Sequence, residues 1–170
     1  MSYRLFSRSL FDQILRNKGV DLSLGRDKVV LQGKPLEDWI SREYVAVDES
    51  VSLADLEKLL VESGTHTGFV VDGDAVLIGQ LDLARISAAR LQGGEAAMSA
   101  PCGGMAEEPE IVFTPDHRVW DSMEQIQGSS VDIFAVVDNT HRLVGVVYEA
   151  SIMRGYMGVL REIRREEHGI

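Results

Sequence analysis

The sequence predicts an α/β protein made of two tandem copies of one β-α-β-β-α module, with a leader helix before them and a helix after them. Three observations predict it. First, sliding the chain by 66 residues lays Val45–Ile86 on Ile111–Ile152 without a gap, and nine of the 42 pairs are identical. Repeats of this kind mark units that share a core. Second, both copies pass through the same order of apolar periods, from strand-like to helix-like and back. Third, both copies carry a turn cluster at the same offset, Asp72-Gly73-Asp74 and Asp138-Asn139-Thr140. Residues that tolerate positive φ and bond their own backbone favour tight hairpins.

The elements follow in chain order. A leader helix is expected over Leu10–Lys18, with Ser9 and Asp12 resembling a capping box and Gly19 as a stop. The short apolar strands Tyr44–Val47 and Glu110–Phe113 open the two copies. Helices come next, and Ser50 and Asp116 occupy matching positions suited to an N-cap. Leu53, Leu56, Leu59 and Leu60 form the inward face of the first helix, and Val119, Met123 and Ile126 that of the second. The hairpins Phe69–Val71/Val76–Leu81 and Phe134–Val137/Leu143–Tyr148 follow. Gly79 and Gly145 lie inside strands, where glycine marks close backbone approach. A last helix begins near Leu83 in one copy and near Ala150 in the other. Gly93–Pro109, rich in Gly, Ala and Met, reads as a mobile linker. In the tail, Ile152, Tyr156, Val159, Leu160 and Ile163 mark one apolar helix face.

Composition narrows the function classes. The net charge is −10, but residues 1–34 carry +4 and the remainder −14. An acidic body disfavours nucleic-acid binding, which needs clustered positive charge. The basic leader suits a solvated helix or a position beside phosphate headgroups. No apolar run approaches the ~18 residues that span a bilayer. One cysteine, Cys102, permits no intrachain disulfide and reads as a free linker thiol. The histidines His66, His117, His141 and His168 are scattered and form no metal set with it. No nucleophile–base pair or phosphate-cradling glycine loop is visible, so the chain is not expected to be an enzyme and requires no cofactor.

The hairpins Phe69-Val-Val-Asp…Leu77-Ile-Gly and Ala135-Val-Val-Asp…Leu143-Val-Gly, at tandem spacing, resemble the CBS domain over about Pro35–Arg154. The resemblance implies paired modules packed pseudo-symmetrically, adenine nucleotides such as ATP, ADP or AMP in clefts between copies, and assembly into a homodimer. The expected organisation is a leader over 1–34, a first module over 35–90, a flexible linker over 91–109, and a second module with the C-terminal helix over 110–170. Three flanking stretches are similar to the cytosolic region after the last membrane helix of CLC-type chloride channels and transporters. They are Ser9–Leu22 followed by Gly25-Arg26, Leu36-Glu-Asp-Trp-Ile40, and Leu160–Gly169. That likeness implies a cytoplasmic position and a membrane transport domain of the same full-length protein as partner.

In nucleotide-binding CBS copies a Ser or Thr follows the hairpin glycine by three positions, and an Asp by six accepts from the ribose hydroxyls. This chain has Asp82 and Arg85 at those positions in the first copy, and Tyr148 and Ser151 in the second. Arg85 has no acceptor. It suits a phosphate contact or a salt bridge with Asp82 three residues earlier. His66 and Thr67, just before a hairpin strand, complete the candidate ligand set. The sequence thus predicts the regulatory and dimerisation module of a CLC-type channel or anion transporter, with weak or lost nucleotide sensing. The alternative is a free-standing CBS-pair sensor acting on a soluble partner.

Overall fold

The structure, a computed structural model, describes residues 26–169. The leader helix expected over Leu10–Lys18 lies outside the described residues. The elements are α1 (Arg26–Gly33), a 3₁₀ turn (Leu36–Trp39), β1 (Val45–Asp48), α2 (Leu53–Ser63), β2 (Thr67–Val71), β3 (Leu77–Asp82) and α3 (Leu83–Met98). A second 3₁₀ turn (Cys102–Gly104), β4 (Val112–Phe113), α4 (Val119–Ile126), β5 (Ile133–Val137), β6 (Leu143–Tyr148) and α5 (Glu149–Glu167) complete the described chain. The strands form two sheets, ordered β1-β2-β3 and β4-β5-β6. β5 and β6 lie 66 residues after β2 and β3, so the repeat read in the sequence is a repeat in structure.

The chain divides into two compact units. One holds Ser41–Val112 and Ala135–Val146; the other holds, of the described residues, those from Arg26 to Ile40, Phe113–Phe134 and those from Val147 on. In the first, β1 runs parallel to β2 and β2 antiparallel to β3, with Val47 opposite Val70 and Thr67 opposite Asp82. Val47, Val70 and Leu81 pack with Leu53, Leu56 and Leu60 of α2 and with Ile86 and Ala89 of α3. Leu59, expected on the inward face, is exposed. Its offset from Leu56 and Leu60 turns it past the edge of the buried stripe.

The expected helix caps are shifted by two residues. Ser52, immediately before Leu53, accepts the Asp55 N–H at 3.1 Å, whereas Ser50 donates to the Asp48 carboxylate. Asp116 likewise pairs with the Thr114 hydroxyl, and α4 starts after Arg118 without a side-chain cap. The hairpin turns also differ from expectation. Positive φ falls on Ala75 and His141, both at 64°, and not on Gly73. The Asp72 carboxylate accepts from the N–H groups of Asp74 (2.9 Å) and Val76 (3.0 Å). Asp138 does the same for Thr140 (2.8 Å) and Arg142 (3.0 Å). A carboxylate that satisfies two turn N–H groups holds the left-handed residue in place. The two tips then pair reciprocally: the Leu77 N–H donates to the His141 carbonyl at 2.9 Å, and the Leu143 N–H to the Ala75 carbonyl at 3.0 Å.

The segment before each copy is exchanged with the other copy. Pro35 bridges to Arg118 and Ser41 to Val146, while Pro101 bridges to Ser52 and Glu107 to Gln80. Every one of these residues maps onto its counterpart by the same 66-residue shift, so the repeat reaches back to Pro35 and Pro101. The segment read as a flexible linker is α-helical to Met98, bends at Gly94 (φ 58°, ψ −146°), and then carries the second 3₁₀ turn. Within it the Cys102 N–H donates to the Val51 carbonyl at 2.7 Å, and the Glu107 and Gln80 backbones exchange hydrogen bonds of 3.0 and 2.8 Å. Cys102 itself is buried, not an accessible linker thiol.

In the other unit, α1 packs on α4 and α5. Leu31 is fully buried, and the Tyr156 hydroxyl donates to the buried Asp27 carboxylate at 3.0 Å. That burial and that hydrogen bond push the Tyr156 phenol far above its ordinary value. Lys28 lies 5.5 Å over the Trp120 ring. Trp39 sits on α5 where Gly155 leaves room for its ring. Of the apolar face expected on α5, Ile152, Tyr156 and Val159 are buried, while Leu160 and Ile163 are half-buried. Among the described residues no helix is long and apolar enough to cross a membrane.

Two predictions follow from this packing. A Cβ at Gly79 would lie 2.7 Å from the Glu107 carbonyl oxygen, a backbone atom, whereas one at Gly73 meets nothing within 4 Å. In urea unfolding, Gly79→Ala should cost about 2 kcal/mol, and Gly73→Ala should stay within about 0.5 kcal/mol. For Cys102, burial pushes the thiol up, and Asp48 and Glu49 oppose the thiolate further. Its folded value lies above its unfolded one, so its contribution to stability is present below the unfolded value and fades as pH rises through the folded one. An aromatic disulfide reagent at neutral pH should leave the folded chain unmodified and titrate one thiol after denaturation.

Candidate functional site

The antiparallel register of β2 and β3 brings the first-copy candidates to one end of the sheet. Thr67 starts β2 and stands opposite Asp82, the last residue of β3. The Leu83 N–H donates to the His66 carbonyl at 2.9 Å, closing the corner where α3 begins. His66, Thr67, Asp82 and Arg85 are therefore neighbours through backbone geometry. Their side chains are not equally free. The Asp82 carboxylate accepts the Arg85 N–H at 2.8 Å and is the N-cap of α3. An N-cap carboxylate satisfies an orphan donor and favours the positive helix end.

The Arg85 guanidinium does not pair with Asp82, as the local salt bridge weighed from the sequence required. It turns to Glu107: Arg85 Nη1 and Glu107 Oε1 form an ion pair whose side chains are 42% and 57% exposed. At that exposure solvent screens the attraction, and the pair contributes at most about 1 kcal/mol. The Arg85 Nε is buried and has no hydrogen-bond partner among the described residues. Glu107 is the residue that sequence reasoning missed. It fell in the segment read as a linker, although the 66-residue shift that relates Ser41 to Glu107 was available as a signal.

The second-copy candidates lie in the other compact unit. Tyr148 is the half-buried residue that precedes α5, and the Ser151 hydroxyl accepts from Arg154 Nη2 at 3.3 Å. The same corner hydrogen bond recurs, with the Glu149 N–H donating to the Asp132 carbonyl at 2.9 Å. Burial, with Asp132 nearby, raises the Glu149 carboxyl above the usual carboxylate range. Among the described residues no group of three or more His, Cys, Asp or Glu is placed to hold a metal ion.

Comparison with known proteins places the architecture. The family model described as "CBS domain" matches residues 36–91 and again 103–158. No curated protein matches the chain. Among solved structures, CbpB in complex with c-di-AMP is similar at TM-score 0.71 and 13% identity, covering 82% of this chain and 95% of that one. A putative acetoin utilization protein (AcuB) from Vibrio cholerae is similar at TM-score 0.66 and 19% identity, covering 78% and 96%. CBSX2 in complex with AMP is similar at TM-score 0.65 and 18% identity, covering 75% and 98%.

Asp82 as a cap predicts a specific pattern of stabilities. Asp82→Ala should lose about 1 kcal/mol, whereas Asp82→Asn, which still accepts the Arg85 N–H, should lose only a few tenths. Thermal and urea unfolding of the two variants check this, and equal losses would mean that the carboxylate acts through charge rather than as a cap.

Proposed function

The chain belongs to the CBS domain family, as a tandem pair, and on that premise we propose that it is a non-enzymatic, cytosolic regulatory and dimerisation module of a CLC-type chloride channel or anion transporter. In this reading the pair acts by how it packs, and its response to adenine nucleotides is weak or lost. The observation that carries the second point is the state of the first-copy ligand positions. Asp82 spends its carboxylate on a helix cap, and Arg85, which stands where a ribose acceptor belongs, is engaged by Glu107. The transporter assignment rests on the flanking stretches Ser9–Leu22, Leu36–Ile40 and Leu160–Gly169 and on the basic leader. α1, at the end of that leader, packs on α4 and α5 and is tied to α5 by the Asp27–Tyr156 hydrogen bond, so a displacement of the leader is felt by the second copy. A ligand or partner regulates such a device only by favouring one packing over another.

The second reading is a free-standing nucleotide sensor. It is favoured by the complexes of similarly folded proteins with AMP and c-di-AMP. Calorimetric titration of the chain with ATP, ADP, AMP and S-adenosylmethionine separates the two. The expected result is a Kd weaker than about 1 mM for each, a binding free energy below about 4 kcal/mol in magnitude. Micromolar binding of any one of them moves the assignment to a sensor. Membrane helices are expected in the reading frame upstream of Ser9, and a frame without them removes the transporter.

A further inference from the structure

We propose that the first copy holds a latched anion site, in which the Glu107 carboxylate occupies the Arg85 guanidinium in place of the phosphate group of a monoester ligand. This rests on the reading of a weak nucleotide response and gives that weakness a cause. Arg85 is set on the first turn of α3, with its own N–H bonded to Asp82, so the base of the side chain is fixed. Glu107 is set with equal firmness. Its backbone exchanges two hydrogen bonds with Gln80, and Gly79 allows its carbonyl to come close. The contact is therefore built by two anchored backbones.

The occupant is nevertheless a poor match for the guanidinium. Arginine presents its N–H groups as a fork that suits two acceptor oxygens at once. The ion pair runs from Nη1 to one carboxylate oxygen, and Nε is left buried without a partner among the described residues. A dianionic phosphate monoester offers three oxygens and can take the Nε and Nη donors together. It must first displace Glu107, whose negative charge also repels it. A binding-competent state that is only partly populated weakens apparent affinity by its fraction. The latch therefore sets how much phosphate-bearing ligand is needed.

The equivalent position in the repeat shows that the latch is separable from the fold. Ser41 stands where Glu107 stands, and it makes the same reciprocal backbone pairing, with Val146. Serine is thus compatible with this backbone, and Glu107→Ser is a variant expected to fold.

The test is calorimetry on the full 170-residue chain, at fixed ionic strength, with inorganic phosphate, AMP and adenosine as titrants. Glu107→Gln and Glu107→Ser should each bind phosphate and AMP at least about threefold more tightly than the parent, the gain expected from releasing a half-exposed ion pair. The gain should vanish in Arg85→Gln/Glu107→Gln, and adenosine should show none. Unchanged affinity in both single variants overturns the latch and leaves the weak-sensing reading standing. Persistence of the gain without Arg85, or an equal gain for adenosine, overturns it as well. Micromolar binding by the parent itself removes the weak-sensing reading instead, and the latch then stands or falls on the same ratio between variant and parent.

Discussion

The outer side of β3 carries peptide N–H and C=O groups that sheet pairing within its own copy leaves open. An unpaired strand edge must be covered or it invites other chains. Here Glu107 covers it at Gln80, and the tip is paired through Leu77 and His141. The cover demands a close approach, which is why the β3 residue beside Gln80 is Gly79. Much of the chain's organisation depends on that one junction. It requires the segment after Met98 to run back along the first copy, and this carries Cys102 into the core beside Leu53 and Leu56. It also brings the Glu107 side chain up to Arg85.

The same constraint acts at the other end of the repeat. Ser41 pairs with Val146, and Leu36 is buried with its N–H on the His117 carbonyl. Each lead-in segment therefore stabilises the copy that it does not belong to, and neither copy is complete without the segment of the other. Exchange of this kind ties each lead-in segment to strand and helix backbone of the other copy. It also gives the leader a physical route into the second copy, since α1 continues into Pro35 and Leu36. Tyr156 and Asp27 reinforce that route through a buried hydrogen bond, a type of contact that is expensive to leave half made.

The repeated fold was legible because its signals are periodic and duplicated. The strands of both hairpins and the inward faces of α2 and α4 follow from apolar spacing alone, and they stand where the spacing put them except for Leu59, which turns out of the buried stripe of α2. What was not legible depended on single atoms or on distant partners. Ser50 and Ser52 are both serines ahead of a helix, and only the backbone turn at Asp48 decides which one caps it. The positive φ went to Ala75 and His141 because an Asp side chain, rather than a glycine, organises each turn. The role of Glu107 was hidden by composition. A Gly- and Ala-rich stretch reads as linker unless its pairing partner, Gln80, is known.

The candidate ligand positions show which parts of a repeat can drift. The corner hydrogen bonds, Leu83 to His66 and Glu149 to Asp132, use only backbone atoms, so they survive complete replacement of the side chains. Ligand chemistry has no such protection. The pair Arg85 and Glu107 in the first copy corresponds, by the 66-residue shift, to Ser151 and Ser41. Both members differ together: two opposite charges on one side, two hydroxyls on the other. At their exposure a charge left without its partner stays solvated, so the pair itself adds little to stability. Arg85 is carried on α3 of the first copy, and Glu107 on the lead-in segment exchanged from the second. The two copies differ there at both positions, while the backbone pairing of Gln80 with Glu107 and of Val146 with Ser41 is the same.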